Sequence, residues 1–372
     1  MRVRAIALLL CCFVSSVVIA EDAQTNRWSI EKANRWYQQQ PWPVGCNFLP
    51  STAVNQLEMW QADSFDPETI DREFGWAAEL GFNAMRVYLH DILWQQDAEG
   101  FVNRIDQYLG IAECHGIRTI FVIFDDCWNP SPKSGKQPEP TPHVHNSGWV
   151  QSPGKEILAQ PEKYDQLKPY VQGLLQRFKN DSRILLWDLY NEPGNDNDMA
   201  YGEVELKDKP RYSLELLTKA FAWARQVNPS QPLTVCVFAG DYWSDPENRS
   251  LLNEFAFKHS DVVSFHYYGQ IEHVANPVSA LKATKRPILC TEYMARTNGC
   301  AFGDFLPYFK QQRIGAINWG FVAGKSQTIY PWESWEREFT KEPDIWFHDV
   351  LRANGKSYDA AEVELIKQTM SL

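Results

Sequence analysis

No two cysteines in this 372-residue chain are separated by two residues, which removes the usual spacing of a structural zinc site. Cations are scarce: 36 Lys and Arg stand against 47 Asp and Glu. An acidic surface of this kind argues against nucleic acid or anionic lipid as the partner, and says nothing against a neutral sugar. Beyond the N-terminus no run is long and apolar enough to span a bilayer. There is no internal repeat and no linker, so a single domain is expected over residues 21–372. The eight histidines do not gather at strand ends as a metal-dependent hydrolase would need, and no metal or cofactor is expected.

The N-terminus reads as an export signal. Met1-Arg2-Val3-Arg4 is a basic start, Ala5 to Ile19 an apolar stretch and Val18-Ile19-Ala20 a small-residue exit. Cleavage after Ala20 leaves 34 cations against 47 acids, a net charge of −13. An uncleaved anchor and a lipid-bearing Cys11 or Cys12 are the alternatives; the apolar run falls short of a ~20-residue span. The expected destination is secreted or periplasmic. Six cysteines then remain, an even number that permits disulfides, although Cys46, Cys236 and Cys290 lie in apolar runs that suit buried thiols.

Aromatic residues are abundant. Fifteen tryptophans suit a carbohydrate cleft, where indoles stack on the C–H faces of sugars, and equally suit a large core. Eight runs read as strands covered on both faces: 44–48, 84–89, 119–124, 184–190, 233–238, 262–267, 288–293 and 316–322. Helical stripes alternate with them, the first capped by Asp66-Pro67-Glu68 and closed by Gly81. Shorter helices are expected at 277–284, 303–312 and 344–352. Eight strand–helix alternations give an α/β fold, the (β/α)8 TIM barrel. Long loops follow strands 3 (125–154), 4 (191–211) and 8 (324–343), all on the face where such barrels place their sites.

Two acids end apolar strands about 100 residues apart: Glu192 in Tyr190-Asn191-Glu192-Pro193, and Glu292 in Cys290-Thr291-Glu292-Tyr293. A carboxyl delivered by a buried run is costly unless partnered, so both point to a site. Arg86 lies on strand 2, His266 and Tyr268 end strand 6, and Trp319 ends strand 8. With these residues in this order the chain resembles the retaining glycoside hydrolases of the barrel clan, above all the cellulase-like family 5 and endo-mannosidase-like members.

The resemblance implies an acid/base at Glu192, a nucleophile at Glu292 held by Arg86, and Asn191 on the sugar's 2-hydroxyl. It places His266 near Glu192, Tyr268 on Glu292, and Trp319 under the ring being cleaved. It implies hydrolysis of a β-linked glycan such as mannan, xylan or β-glucan, the partner being carbohydrate. Many family 5 members carry a histidine at the end of strand 3; here that end reads Phe124-Asp125-Asp126-Cys127-Trp128, so the contacts to the sugar's hydroxyls are expected to differ. Trp128, His145, Asn146, Trp149 and Gln151 are expected to line the cleft from the following loop. Trp332 and Trp335 are either sugar platforms or packing, and His143 with His145 either a metal pair or polar loop residues. A sugar-binding barrel without catalysis is the competing function; it would have no need of both acids with Arg86, His266 and Tyr268.

Overall fold

The computed structural model describes residues 26–238 and 242–371. The expected export signal at 1–20 lies outside the described residues. Nine strands follow in order: β1 (Val44–Asn47), β2 (Ala84–Tyr88), β3 (Arg118–Asp125), β4 (Ile184–Asn191), β5 (Leu233–Thr234), β6 (Cys236–Val237), β7 (Val263–His266), β8 (Ile288–Glu292) and β9 (Gly315–Asn318). Every pairing is parallel and the order is β5-β4-β3-β2-β1-β9-β8-β7-β6. The two ends of that list are halves of one barrel strand: β5 pairs with β4 and β6 with β7, interrupted at Val235. This gives the eight expected barrel strands, with the fifth broken.

Nearly every strand residue is buried, which is why the runs show no polar alternation. Gly45 marks how closely β1 and β2 approach: a Cβ there would lie 1.7 Å from the Ala84 carbonyl oxygen. The helix Pro67–Glu79 begins as the sequence predicts, with Asp66 accepting from the Thr69 N–H at 3.0 Å, and Gly81 closes it at φ +84°.

Two expectations are corrected. Strand eight stops at Asn318 rather than 322, because the chain turns at Gly320, φ +77°. Residues 344–352 form no helix; Leu351 bridges Val322, and Phe347 and Val350 are buried beneath the last long loop. The outer helix of that repeat is Ala360–Ser371 instead. An added helix, Ile30–Gln38, places Tyr37 among Ala84, Ile120, Leu186 and Leu289, covering the barrel's N-terminal end. No described helix is long and apolar enough to cross a membrane. None of the six described cysteines is in a disulfide.

Candidate active site

Parallel barrel strands all end on one rim, so side chains at the ends of β2, β4, β7 and β8 converge without long loops having to carry them. Glu292 is the last residue of β8 and is 5% exposed. Its Oε1 accepts from Arg86 Nη1 at 3.0 Å and Tyr88 Oη at 2.9 Å; its Oε2 accepts from Tyr268 Oη at 2.7 Å. Glu192 lies one residue past β4 at φ +43°, a left-handed conformation that costs a non-glycine residue about 1 kcal/mol. That turn is held by the Asn195 N–H on the Glu192 carbonyl at 3.0 Å and by the Glu192 N–H on Cys236 Sγ at 3.3 Å. Oε1 of Glu192 lies 2.7 Å from His266 Nδ1, while Oε2 accepts from Asn195 Nδ2 at 2.7 Å and the Cys127 thiol at 3.2 Å. An oxygen of each glutamate and a ring nitrogen of His266 all fall within 4.8 Å of one another.

Arg86 is fully buried and ties the rim together. Nε and Nη2 donate to Asp188 Oδ2 at 3.1 and 2.8 Å, and Nη2 also to Asn191 Oδ1 at 2.7 Å. Nη1 reaches Asn47 Oδ1 at 2.8 Å and Tyr88 Oη at 2.5 Å besides Glu292. The planar fork suits this array; a lysine's single nitrogen would not span it. Asn191 passes the network on, its Nδ2 donating to Asp125 Oδ1 at 3.0 Å. Asp125 is wholly buried and also accepts from Trp149 Nε1 at 2.7 Å; burial pushes its carboxyl up to about 6.

Burial raises both glutamates above the ordinary carboxylate range. At Glu292 the proximity of Glu192 adds to the rise, while His266, Arg86 and Tyr268 oppose it. At Glu192 the opposition comes from the Cys127 thiol, the Asn195 amide and the more distant Arg86. Burial pushes His266 down to about 3, so near neutral pH it acts as a neutral hydrogen-bonding ring. Its Nε2 is buried without a partner, so the hydrogen-bond network assigns the proton to Nδ1, facing Glu192. Arg86 beside Glu292 favours its anion, and desolvation outweighs that pull.

Glu192, His266 and Glu292 also form the set of metal-ligating types found among the described residues. Their carboxylate oxygens already face the donors Arg86, Tyr88, Tyr268, Cys127 and Asn195, and such donors disfavour a cation. The set fits proton transfer better than metal binding.

Above the carboxyls lies a cleft of about 790 Å3, walled by Trp128, Asn146, Met199, Trp319 and Trp332 among others. Trp128 and Trp332 both line it, and Trp332, for which the sequence left platform and packing open, also packs edge-on against Phe347. Trp335 does not line the cleft; it stacks on Trp128 with centroids 5.6 Å apart. Trp149 is a correction. It is 3% exposed and packs edge-on against Tyr88 and Trp319, so it supports the cleft floor from behind. Asp125 and Gln151 are likewise behind the wall, Gln151 bonding the Trp128 carbonyl at 2.8 Å. His145 Nδ1 bonds the Tyr330 carbonyl and His143 Nδ1 the Tyr330 hydroxyl, tying two loops together.

Tyr88, Asn47, Cys127 and Asn195 were not singled out from sequence. Tyr88 had a signal, since it lies two residues from Arg86 on one strand and so shares its face. Asn195 sits three residues beyond Glu192 on a loop whose path sequence does not specify.

The barrel and the paired acids on its C-terminal rim define a glycoside hydrolase of the (β/α)8 class. The family model for cellulase (glycosyl hydrolase family 5) matches residues 49–324. The chain belongs to glycosyl hydrolase family 5 and is an enzyme that hydrolyses O-glycosyl bonds. Among curated proteins no sequence matches it. Solved structures share the fold at low identity. GH5_18 from Streptomyces cattleya, in complex with Manβ1-4GlcNAc, is 13% identical with TM-score 0.57, over 88% of this chain and 79% of that one. The β-mannanase of the blue mussel Mytilus edulis is 15% identical with TM-score 0.54, over 79% and 89%. The endo-β-1,4-mannanase of Thermotoga petrophila is 13% identical with TM-score 0.56, over 90% and 78%.

Proposed function

We propose that the enzyme is a retaining β-glycosidase with Glu292 as nucleophile and Glu192 as acid/base. One observation carries this reading: two carboxyls within 4.8 Å have unlike surroundings. Arg86 and two phenols contact Glu292, whereas only neutral donors contact Glu192. Two acids this close repel each other when both are ionised, so each makes the other's proton harder to lose. The guanidinium contact favours the anion at Glu292 and leaves the proton to Glu192.

Glu292 attacks the anomeric carbon while Glu192 protonates the leaving oxygen, and Tyr268 and Arg86 hold the attacking carboxylate in line. Once the sugar is attached, Glu292 no longer carries charge. Glu192 then loses a repulsive neighbour, its proton having left with the departing alcohol, and acts as base toward water. Carboxyls separated by about 5 Å leave no room for water between nucleophile and sugar, which is the retaining arrangement. Trp319 lies under the ring and Asn191 beside its 2-hydroxyl.

The substrate is a β-linked poly- or oligosaccharide such as mannan, xylan or β-glucan. β-Mannosides come first, because several proteins sharing the fold are mannanases. Residues 1–20 direct export, secreted or periplasmic; N-terminal sequencing of the exported protein should begin at Glu21, and an intact Met1 would refute that. Proton NMR of the first product released should show the β-anomer, and an initial α-anomer would overturn the double-displacement reading.

A further inference from the structure

One cleft residue has polar groups that the catalytic network leaves unused. Asn146 is 1% exposed, and both its side-chain oxygen and its nitrogen are buried without a partner. A buried amide left in that state carries its full desolvation cost, so such groups are rare unless something outside the chain satisfies them. Its backbone is fixed on both sides. The Asn146 N–H donates to the Ser326 carbonyl at 2.9 Å, and the Asn146 carbonyl accepts from the Trp149 N–H at 3.0 Å. Its φ of +48° is left-handed, a region asparagine tolerates better than most residues. The side chain is therefore held at the junction of the loops after β3 and β9, on the cleft wall that also carries Trp128, Trp319 and Trp332.

The charge of the wall narrows what could meet that amide. Among the described residues lining the cleft none is Lys or Arg, while Asp196 and Asp198 join the two glutamates there. A uronic acid would be repelled. A carboxamide offers one acceptor and two donors, a match for neighbouring hydroxyls, each of which both donates and accepts.

We propose that Asn146 is a substrate-binding residue whose carboxamide recognises adjacent hydroxyls of a neutral sugar unit seated against the tryptophans of the cleft. This rests on the glycosidase reading above and narrows it to uncharged glycans. The rival occupant is water: Asn146 also borders an inner cavity of about 20 Å3 beside Tyr88, Trp149 and Trp319, enough for one molecule.

Titration calorimetry on Glu192→Ala protein, with mannotetraose, cellotetraose, xylotetraose and tetragalacturonate, decides between them. At least one neutral tetrasaccharide should bind and tetragalacturonate should not. Adding Asn146→Gly, which removes both bonds, should weaken that binding about ten-fold or more; Asn146→Asp, which removes the donors, should weaken it less. Both replacements tolerate the positive φ, so unchanged melting temperatures certify the fold. Unaltered affinity in both variants would assign the amide to a trapped water and overturn the proposal. Tetragalacturonate binding as tightly as the neutral sugars would overturn the neutral class. Wild-type turnover separates the two readings: Asn146-dependent binding without cleavage of any β-glycoside sinks the glycosidase mechanism alone, cleavage with Asn146-independent binding sinks this inference alone, and binding of no sugar sinks both.

Discussion

Replacing Arg86 by methionine removes the one cation buried between Asp188 and Glu292 and leaves both carboxyls in place. At about 4 Å and an effective dielectric of about 20, a cation–carboxylate attraction is worth about 4 kcal/mol. Losing it should raise the Glu292 pKa by about three pH units, at about 1.4 kcal/mol each. At any given pH the ratio of ionised to protonated nucleophile would then fall by up to about a thousand-fold. Arg86→Lys keeps the charge and forfeits the fork, so it should lose hydrogen bonds without a comparable displacement. The assay is kcat/KM against pH on an activated aryl β-glycoside, whose leaving group needs little help from Glu192. The acid limb should move about three pH units upward in Arg86→Met and less than one in Arg86→Lys. Melting curves run alongside, since breaking a buried ion pair costs about 3–5 kcal/mol. An Arg86→Met protein that folds and keeps its acid limb in place would refute the argument that Arg86 sets the charge of Glu292.

Glu192→Ala should cut turnover of natural glycosides by about 100-fold or more, spare activated aryl glycosides in the first step, and be rescued by azide; equal losses without rescue would make Glu192 structural. Trp332→Ala, which strips an exposed-side wall of the cleft, should raise KM for oligosaccharides and leave small aryl substrates nearly unaffected; Trp149→Phe, which removes the donor to Asp125, should instead lower the melting temperature, by about 1–2 kcal/mol of stability. Glu73, wholly buried against Ser51, is pushed up to about 7, so ionising it opposes folding. The unfolded chain loses that proton near pH 4.5 and the folded chain near 7, so the stability of the wild type relative to Glu73→Gln should fall as pH rises between those values. The gap should reach about 3 kcal/mol and stay flat above; denaturant titrations at pH 4.5, 6 and 8 showing no trend would contradict it.

The strand ends were legible because period and composition act locally. A continuous apolar run ending in an acid declares both its burial and its need for a partner, and Glu192 and Glu292 carried that signal; Arg86 and His266 were found by their places on the strands beside them. The break at Val235 did not show, since Leu233 to Phe238 is evenly apolar and the interruption is a matter of closing the barrel. Trp128 and Trp149 look alike in sequence, yet one walls the cleft and the other lies beneath it. Their difference comes from how the loop after β3 is pinned, His145 N–H to Ser334 Oγ and Asn146 N–H to Ser326 carbonyl, contacts between residues about 180 positions apart. The missing helix at 344–352 has a similar cause: Arg296 donates to the carbonyls of Trp346 and Asp349, so these serve a neighbouring loop instead of a helical ladder.

The account's central claim is that Glu292 forms a bond with the sugar, and trapping that bond tests it most directly. A 2-deoxy-2-fluoro β-glycoside with a good leaving group, offered in the manno and gluco series, slows release of the glycosyl-enzyme more than its formation. Peptide mass spectrometry should then find one fluoro-sugar on the segment containing Glu292, with activity lost in step with labelling and Glu292→Gln protein unlabelled. A label on another acid, or full turnover of the natural substrate by Glu292→Gln, would contradict the account.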